Sequence, residues 1–420
     1  MAKILISSLG KGIKGGNYNV AKYKMGEDEH VYESNSIAKV LTEHLKIDKL
    51  FLLGTSGSAW DMIADNFNSS EEISLPLMEK VEHSQVLQDD LLGLDKVLDD
   101  HLGTNGSKSW IIEYGVDENE LWNNFSILLE MSRSFEPGDE IYLDITHAFR
   151  SLPMMSFVMT EFASQVSDIP FKLSGIYYGM FEYSKDPQNK LQGVTPIVDI
   201  SIIYELHQWI RAIDAMKKYG NLDPLVKLLE TSDNEDLKSV EKVFVQLNNN
   251  IKLANLASLK QFVSNASKKI KSLQNSNNKI IKLLAKDIVD FVERLDKEEM
   301  SAFQYELAKW FCDNKQYALS YMALAESIMT KNAELIGIDR ETMDYRDKDL
   351  QKQIKSIEFP YDKHFQKNYP GSIIDIRDNI AHQLNERKDF VNNDIKKLHT
   401  FIETFEPFFK KRPIVKKIHN

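Results

Sequence analysis

EIYLDITHAFRSLPMMSFVMTEFASQV, residues 140–166, reads as a strand, a loop and a helix in that order. The strand run EIYLDI delivers Asp144, Thr146 and His147 to its carboxyl end. Arg150 follows in the loop, and Ser151 and Pro153 open the helix. A strand that hands polar groups to a loop before a helix is the unit from which parallel α/β sheets are built.

The same alternation extends on both sides. KILISSLG (3–10) is a short β-branched run ending in glycine, and VYESNSIAKVLTEHL (31–45) is amphipathic and helical. KLFLLGTSG (49–57) is again a strand running into a glycine turn. KSWIIEYG (108–115) is a strand, ENELWNNFSILLEMSRSF (118–135) a helix, and FKLSGIYYGMFEY (171–183) a further strand. NYNVAKYKM (17–25) and EHVYES (29–34) form a β-hairpin ahead of the first helix. Residues 1–200 are therefore expected to fold as a Rossmann-like α/β domain with a mostly parallel sheet and helices on both faces.

Beyond about residue 200 the strand signals stop and the apolar residues recur at helical spacing. SIIYELHQWIRAIDAMKKYG (201–220) begins an all-α region, in which residues 201–300 read as a helical linker and residues 301–420 as a terminal helical domain.

Totals narrow the function classes. The chain has 420 residues, 42% hydrophobic and 27% charged, with a formal net charge of −11. Such a balance argues against coating nucleic acid by bulk electrostatics and leaves RNA or nucleotide contacts to local pockets. The single cysteine, Cys312, excludes an intrachain disulfide and a cysteine-based metal site, and its helical setting reads as a buried thiol. No apolar run reaches the roughly 18 residues of a membrane span, and MAKILISSLGKG is no signal peptide, so an intracellular, cytoplasmic protein with no membrane partner is expected. There is no HExxH, CxxC, Walker loop or GxSxG elbow, so neither a metal nor a bound cofactor is expected.

Ligands of open α/β sheets sit beyond the carboxyl ends of the strands. Three strand ends here carry small polar groups: Ser7, Ser8, Leu9 and Gly10; Thr55, Ser56, Gly57 and Ser58; and Asp144, Thr146, His147 and Arg150. Glycines admit a close backbone approach, hydroxyls and amides bond phosphate or ribose, and arginine grips phosphate with two parallel bonds. The combination suits an anionic ligand. His147 could equally be a structural histidine bonded to Asp144.

Near the C-terminus, PGSIIDIRDNIAHQLNERKDF (370–390) encodes a helix with Ser372 as N-cap, Asp375 closing a capping box, and an apolar stripe of Ile373, Ile376, Ile380 and Leu384. Arg377 and His382 lie about 140° apart around that helix, a spacing suited to a long and a short side chain reaching into one cleft rather than to a shared metal. The tail KKRPIVKKIHN (410–420) reads as solvated.

KILISSLG, NYNVAKYK, LLGTSGSAWD and LDITHAFRSLP resemble, in order, the N-terminal domain of CRISPR-associated proteins of the DxTHG-motif family, which carry CARF domains and belong to type III systems. Many of that family end in a helical HEPN domain whose signature is Arg, a polar residue, three more residues and His. Arg377-Asp378-Asn379-Ile380-Ala381-His382 fits that pattern. The family's glycine after the histidine is Ala148 here, so backbone contacts at that point are the least secure. The resemblance implies a sensor of cyclic oligoadenylate, an allosteric activator bound by a homodimer or a larger even-numbered oligomer. It also implies a metal-independent endoribonuclease of single-stranded RNA, with Arg377 and His382 catalytic and Asp378 or Asn379 orienting them. Two rival readings are a non-catalytic nucleotide-sensing adaptor and a phosphodiesterase that degrades the cyclic messenger at the DxTH loop.

Overall fold

The computed structural model describes residues 1–147, 151–166, 171–188, 191, 193–253, 255–338, 347–355, 362–366, 369–382 and 391–410. They fall into two compact units, Met1–Tyr204 and Glu205–Asn420.

The first unit holds strands β1 (Lys3–Ser8), β2 (Ala21–Met25), β3 (Tyr32–Ser34), β4 (Lys49–Gly54), β5 (Lys108–Ile111), β6 (Glu140–Asp144), β7 (Lys172–Gly179) and β8 (Thr195–Asp199). Its helices are α1 (Ile37–Leu45), α2 (Trp60–Asn66), α3 (Glu71–Glu82), α4 (Leu92–Leu102), α5 (Glu118–Ser132), α6 (Ser151–Val166) and the single turn α7 (Phe181–Ser184). The strands form one sheet in the order β3-β2-β8-β7-β6-β1-β4-β5. Only β2–β3 and β7–β8 pair antiparallel. The expected mostly parallel sheet is what forms, and so is the hairpin of β2 and β3.

Residues along a strand alternate faces. Leu5, Leu50 and Leu52 therefore pack under α1 to α4, while Ile4, Ile6, Phe51 and Leu53 pack against α5 and α6. Burial on both faces explains the continuous apolar runs in β1 and β4. At the β5 edge, one side chain takes the place of a further strand. Gln88 donates to the Ser109 carbonyl at 2.6 Å and accepts from the Ile111 N–H at 2.9 Å.

The second unit is helical throughout its described residues: α8 (Ile202–Tyr219, entered from the first unit), α9 (Asp223–Thr231), α10 (Glu235–Lys252), α11 (Leu256–Ser272), α12 (Lys279–Leu295), α13 (Met300–Asp313), α14 (Tyr317–Leu335), α15 (Lys348–Lys355), α16 (Asp362–Phe365), α17 (Ile373–His382) and α18 (Val391–Lys410). One apolar cluster runs from Trp209 and Phe244 through Ile288 and Phe311 to Phe405. The segment read as a linker, residues 201–300, thus shares its core with the helices that follow it. None of the described helices is long and apolar enough to cross a membrane.

Candidate functional sites

β1 lies between β4 and β6, with Ser7 level with Leu52 on one side and Asp144 on the other. Parallel pairing therefore brings all three polar strand ends to one edge of the sheet. The loop after β1 is stitched to the loop after β4 by backbone bonds: Leu9 N–H to Leu53 O (2.8 Å), Gly12 N–H to Gly57 O (2.9 Å) and Ala59 N–H to Gly10 O (3.0 Å). On the other side His147 lies against Gly10, where a β-carbon would stand 3.5 Å from the histidine's own Cβ.

These groups divide into a buried frame and an open rim. In the frame, the Ser7 hydroxyl donates to Asp144 Oδ2 at 2.6 Å, and the Thr146 N–H donates to Oδ1 at 2.9 Å. Both carboxylate oxygens are thereby engaged with residues other than His147. Burial, with the Asp144 charge second, pushes the nearby Tyr23 phenol up to about 12. Thr146 Oγ1 in turn accepts from the Gly179 N–H at 2.8 Å, which ties the loop to the end of β7.

Of the β4-loop residues offered as ligand groups, only Ser56 is part-exposed, while Thr55, Gly57 and Ser58 are buried. The Thr55 N–H donates to Ser58 Oγ (2.9 Å), and the Trp60 indole N–H caps the Thr55 carbonyl (2.8 Å), so the turn closes on itself. A β-carbon at Gly57 would fall 2.5 Å from Ser84 Oγ. Ser8 and Leu9 are buried as well, each 5% exposed.

The rim comprises Gly10, Ser56, Thr146 and His147, all part-exposed. The N–H groups of Gly10 and Ser56 make no hydrogen bond among the described residues. Arg150 and Ala148 lie outside the described residues.

One residue not singled out from the sequence joins this rim: Lys11, beside Gly10, bridges to Ser58 through its backbone and is exposed, and Lys14 is a further exposed cation on the same loop. That loop is anchored by Tyr18 OH to Asp61 Oδ1 (2.6 Å) and by the Gly15 N–H to Glu82 Oε1 (2.8 Å). Burial raises the Asp61 carboxyl above its usual value, and burial followed by the bond to Asp61 raises the Tyr18 phenol. The signal was in the sequence: residues 1–26 hold five lysines and no carboxylate.

The second candidate site is on α17. Ser372 caps it by accepting from the Asp375 N–H at 3.2 Å. The Asp375 carboxylate returns to the N–H of Gly371 (2.7 Å), one residue before the expected capping-box partner. Gly371 takes φ +77, which turns its N–H toward that carboxylate.

Ile373 and Ile376 are buried in the helical core, whereas Leu384 falls outside the described residues. Arg377 is part-exposed, with Nε 3.3 Å from Asp378 Oδ1 but off the line of a hydrogen bond, so this buried nitrogen makes none. His382, in the last turn, is exposed. The Asn379 amide donates to Asp375 O (2.6 Å) and so is committed to the helix's own start. Asp378, not Asn379, is the residue beside the guanidinium.

Cys312 is the buried thiol expected, 3.6 Å from His399 Nδ1, and burial raises it to about 11. Among the described residues no group of three His, Cys, Asp or Glu could hold a metal ion.

The family described as the CARF domain of the CRISPR system endoribonuclease Csx1 matches residues 4–182, which span the three strand ends. Residues 4–182 are a CARF domain. A second family, the second domain of CRISPR-associated protein MJ1674, matches residues 205–302, beyond the CARF domain. The MJ1674 protein of Methanocaldococcus jannaschii is 33% identical over 417 residues, covering 91% of this chain and 62% of the relative, so this chain spans less than two thirds of that protein's length. Enterococcus italicus Csm6, solved bound to cyclic hexa-2'-fluoro-hexa-dAMP, is a more distant likeness. It is 14% identical at a TM-score of 0.41, over 96% of this chain and 93% of that one.

Proposed function

We propose that the protein is a ribonuclease of type III CRISPR antiviral defence that cyclic oligoadenylate switches on. The observation that carries the sensing half is the rim above the CARF sheet. There Gly10 and Ser56 offer N–H donors that are unused among the described residues, Thr146 and His147 stand beside them, and the β1 loop supplies positive charge through Lys11 and Lys14. A ring of identical phosphates is best matched by two copies of such a rim related by two-fold symmetry. The α6 surface supports a second copy of this chain as the partner. Met154, Val158 and Phe162 form an exposed stripe at i, i+4, i+8 on the helix that starts from the DxTH loop. The reading places the protein in the cytoplasm, where its activator and RNA targets would be.

Residues 301–420 are then a HEPN-type nuclease. RNA carries its own nucleophile, the 2′-OH, so what the protein adds is proton transfer and charge stabilisation, with no metal required. His382 removes or returns the proton as the general base or acid. Arg377 binds the non-bridging phosphate oxygens with its part-exposed guanidinium, and the neighbouring Asp378 carboxylate holds it in place. The 2′-oxygen attacks phosphorus, the bond to the 5′-oxygen breaks, and the leaving oxygen takes a proton. The products carry 2′,3′-cyclic phosphate and 5′-hydroxyl ends. The about 140° between the two side chains favours a cleft in which α17 of one protomer faces α17 of its partner. Activation requires that the ring bind the competent dimer more tightly than the idle one.

The test is cleavage of a labelled single-stranded RNA in EDTA, with and without cyclic tetra- and hexa-adenylate, beside His382→Ala. Ligand-dependent cleavage that survives EDTA and is lost in the variant is expected. Ligand binding without cleavage would overturn the nuclease half and leave an adaptor. Degradation of the ligand itself, abolished by Thr146→Ala, would instead identify a ring phosphodiesterase.

A further inference from the structure

Although the chain totals −11, residues 242–286 contain nine lysines and no Asp, Glu, Arg or His. This stretch runs from the middle of α10 through α11 and the turn after it into the first half of α12. Lys268, Lys269 and Lys271 occupy the last turns of α11, and Lys279, Lys282 and Lys286 follow in α12. Because α11 and α12 pack side by side through a short turn, both groups gather at one tip. The spacing of three and four residues also puts Lys279, Lys282 and Lys286 on one face of α12.

The carboxylates that approach this tip each have one partner and leave the other lysines unpaired: Glu293 pairs with Lys271 (3.2 Å), Asp236 accepts from Ser276 Oγ in the turn (2.5 Å), and Asp287 pairs with Lys217 of α8 (2.6 Å). Lys268, Lys269, Lys279, Lys282 and Lys286 are exposed and make no ion pair among the described residues.

The placement runs against local helix electrostatics. A helix N-terminus is the positive end of its dipole and favours acidic side chains. The first turn of α12 has none and begins with Lys279, with Lys282 one turn on. Such a departure from local preference is expected where an anion relieves it. The tip between the helices adds Gln274, Asn275, Asn277 and Asn278, amides suited to sugars, phosphates and base edges. The apolar faces of α11 and α12 are already buried in the helical core, through Val263, Ile270, Ile281 and Ile288. On α12 Leu283 is exposed, but one leucine is too little apolar surface to enter a lipid layer.

We propose that the α11–α12 hairpin tip is a docking surface for single-stranded RNA, gripping the phosphate backbone with little regard to sequence. This inference concerns binding and stands whether or not Arg377 and His382 cut RNA. It supplies the local positive surface that the overall charge conceals.

The experiment is fluorescence anisotropy of a labelled 20-nucleotide RNA, on full chains carrying His382→Ala so that the probe survives. KCl is stepped from 50 to 200 mM. Phosphate contacts on single strands contribute about 0.7 each to the slope of log affinity against log salt. The triple variant Lys279→Gln/Lys282→Gln/Lys286→Gln should therefore have a slope shallower by about 2, so its deficit shrinks roughly 20-fold across that range. Lys279→Arg/Lys282→Arg/Lys286→Arg should retain binding, which separates charge from folding. The charge-matched control Lys46→Gln/Lys96→Gln/Lys227→Gln should bind like the parent. An unchanged slope in the hairpin variant, an equal loss in the control, or binding to phosphatidylserine vesicles but not to RNA would each overturn the proposal.

Discussion

Replacing Asp144 by alanine or by asparagine should have very different consequences, and the hydrogen bonds around it say why. Asp144 is 2% exposed and Ser7 1% exposed, so water cannot replace a lost partner there. Alanine strands the Ser7 hydroxyl that donated at 2.6 Å and frees the Thr146 N–H that donated at 2.9 Å. Bonds to a charged acceptor contribute about 1.5–3 kcal/mol each, and the part-exposed Thr146 N–H can recover some of its loss from solvent. The expected cost of Asp144→Ala is about 3–4 kcal/mol. Asparagine keeps one oxygen for the Thr146 N–H, which can only donate, and turns its amide toward Ser7. A hydroxyl can accept as readily as it donates, so both partners stay satisfied at a cost of about 1 kcal/mol. The assay is amide hydrogen exchange followed by mass spectrometry on peptides covering β1 and β6 in the full chain. Asp144→Ala should raise exchange in both peptides by roughly a hundredfold or more, and Asp144→Asn by about fivefold. Equal effects of the two variants would refute the account of the frame, as would unchanged exchange in Asp144→Ala.

Further outcomes concern charge. Burial raises the Asp95 carboxyl from 3.8 to about 6, and its Oδ1 makes no hydrogen bond. Folded and unfolded chains are both protonated there below about pH 4, so the penalty is absent at low pH, grows between about 4 and 6, and is complete above. At about 1.4 kcal/mol per pH unit this is about 3 kcal/mol, reduced to about 2 by the partial exposure of the side chain. Asp95→Asn should therefore raise the melting temperature at pH 7.5 and leave it unchanged at pH 4; an equal rise at both would exclude titration as the cause. Lys11→Ala/Lys14→Ala should weaken cyclic oligoadenylate binding about tenfold at 50 mM salt and less at 300 mM, read by calorimetry. Arg377→Lys should lower RNA cleavage by about 100-fold or more while activator affinity holds, since a lysine cannot present two parallel donors.

The sheet was legible where strands are buried on both faces, because β1, β4 and β6 then read as apolar runs that end in polar loops. β8 was not. TPIVD begins with Thr195-Pro196, and proline argues against an interior strand. It is tolerated here because the proline's contribution is its carbonyl, which accepts from the Met180 N–H at 2.9 Å. Helices α2 to α4 were also unread, α3 having Pro76 within it. At the strand ends the sequence showed which side chains arrive but not which face inward. Ser7, Thr55 and Ser58 differ from Ser56 only in where the turn and Trp60 direct them. On α17 the arginine and histidine were plain, but the commitment of Asn379 to Asp375 depends on the Gly371 turn. The lysine hairpin escaped notice for a different reason: an average over 420 residues of net charge −11 says nothing about a 45-residue interval of opposite sign.

Gln88 has a consequence for how copies of this chain can associate. The outward-facing carbonyl of Ser109 and N–H of Ile111 are the groups through which another strand would extend the sheet. A single amide already answers both. At the opposite border β3 spans only Tyr32–Ser34, too short a template for lasting pairing. Neither margin therefore invites lateral growth into ribbons or fibrils. The two-fold pairing proposed above gains from closing the route to open-ended stacking, because association through helical faces and strand-end loops can stop at a fixed number of subunits.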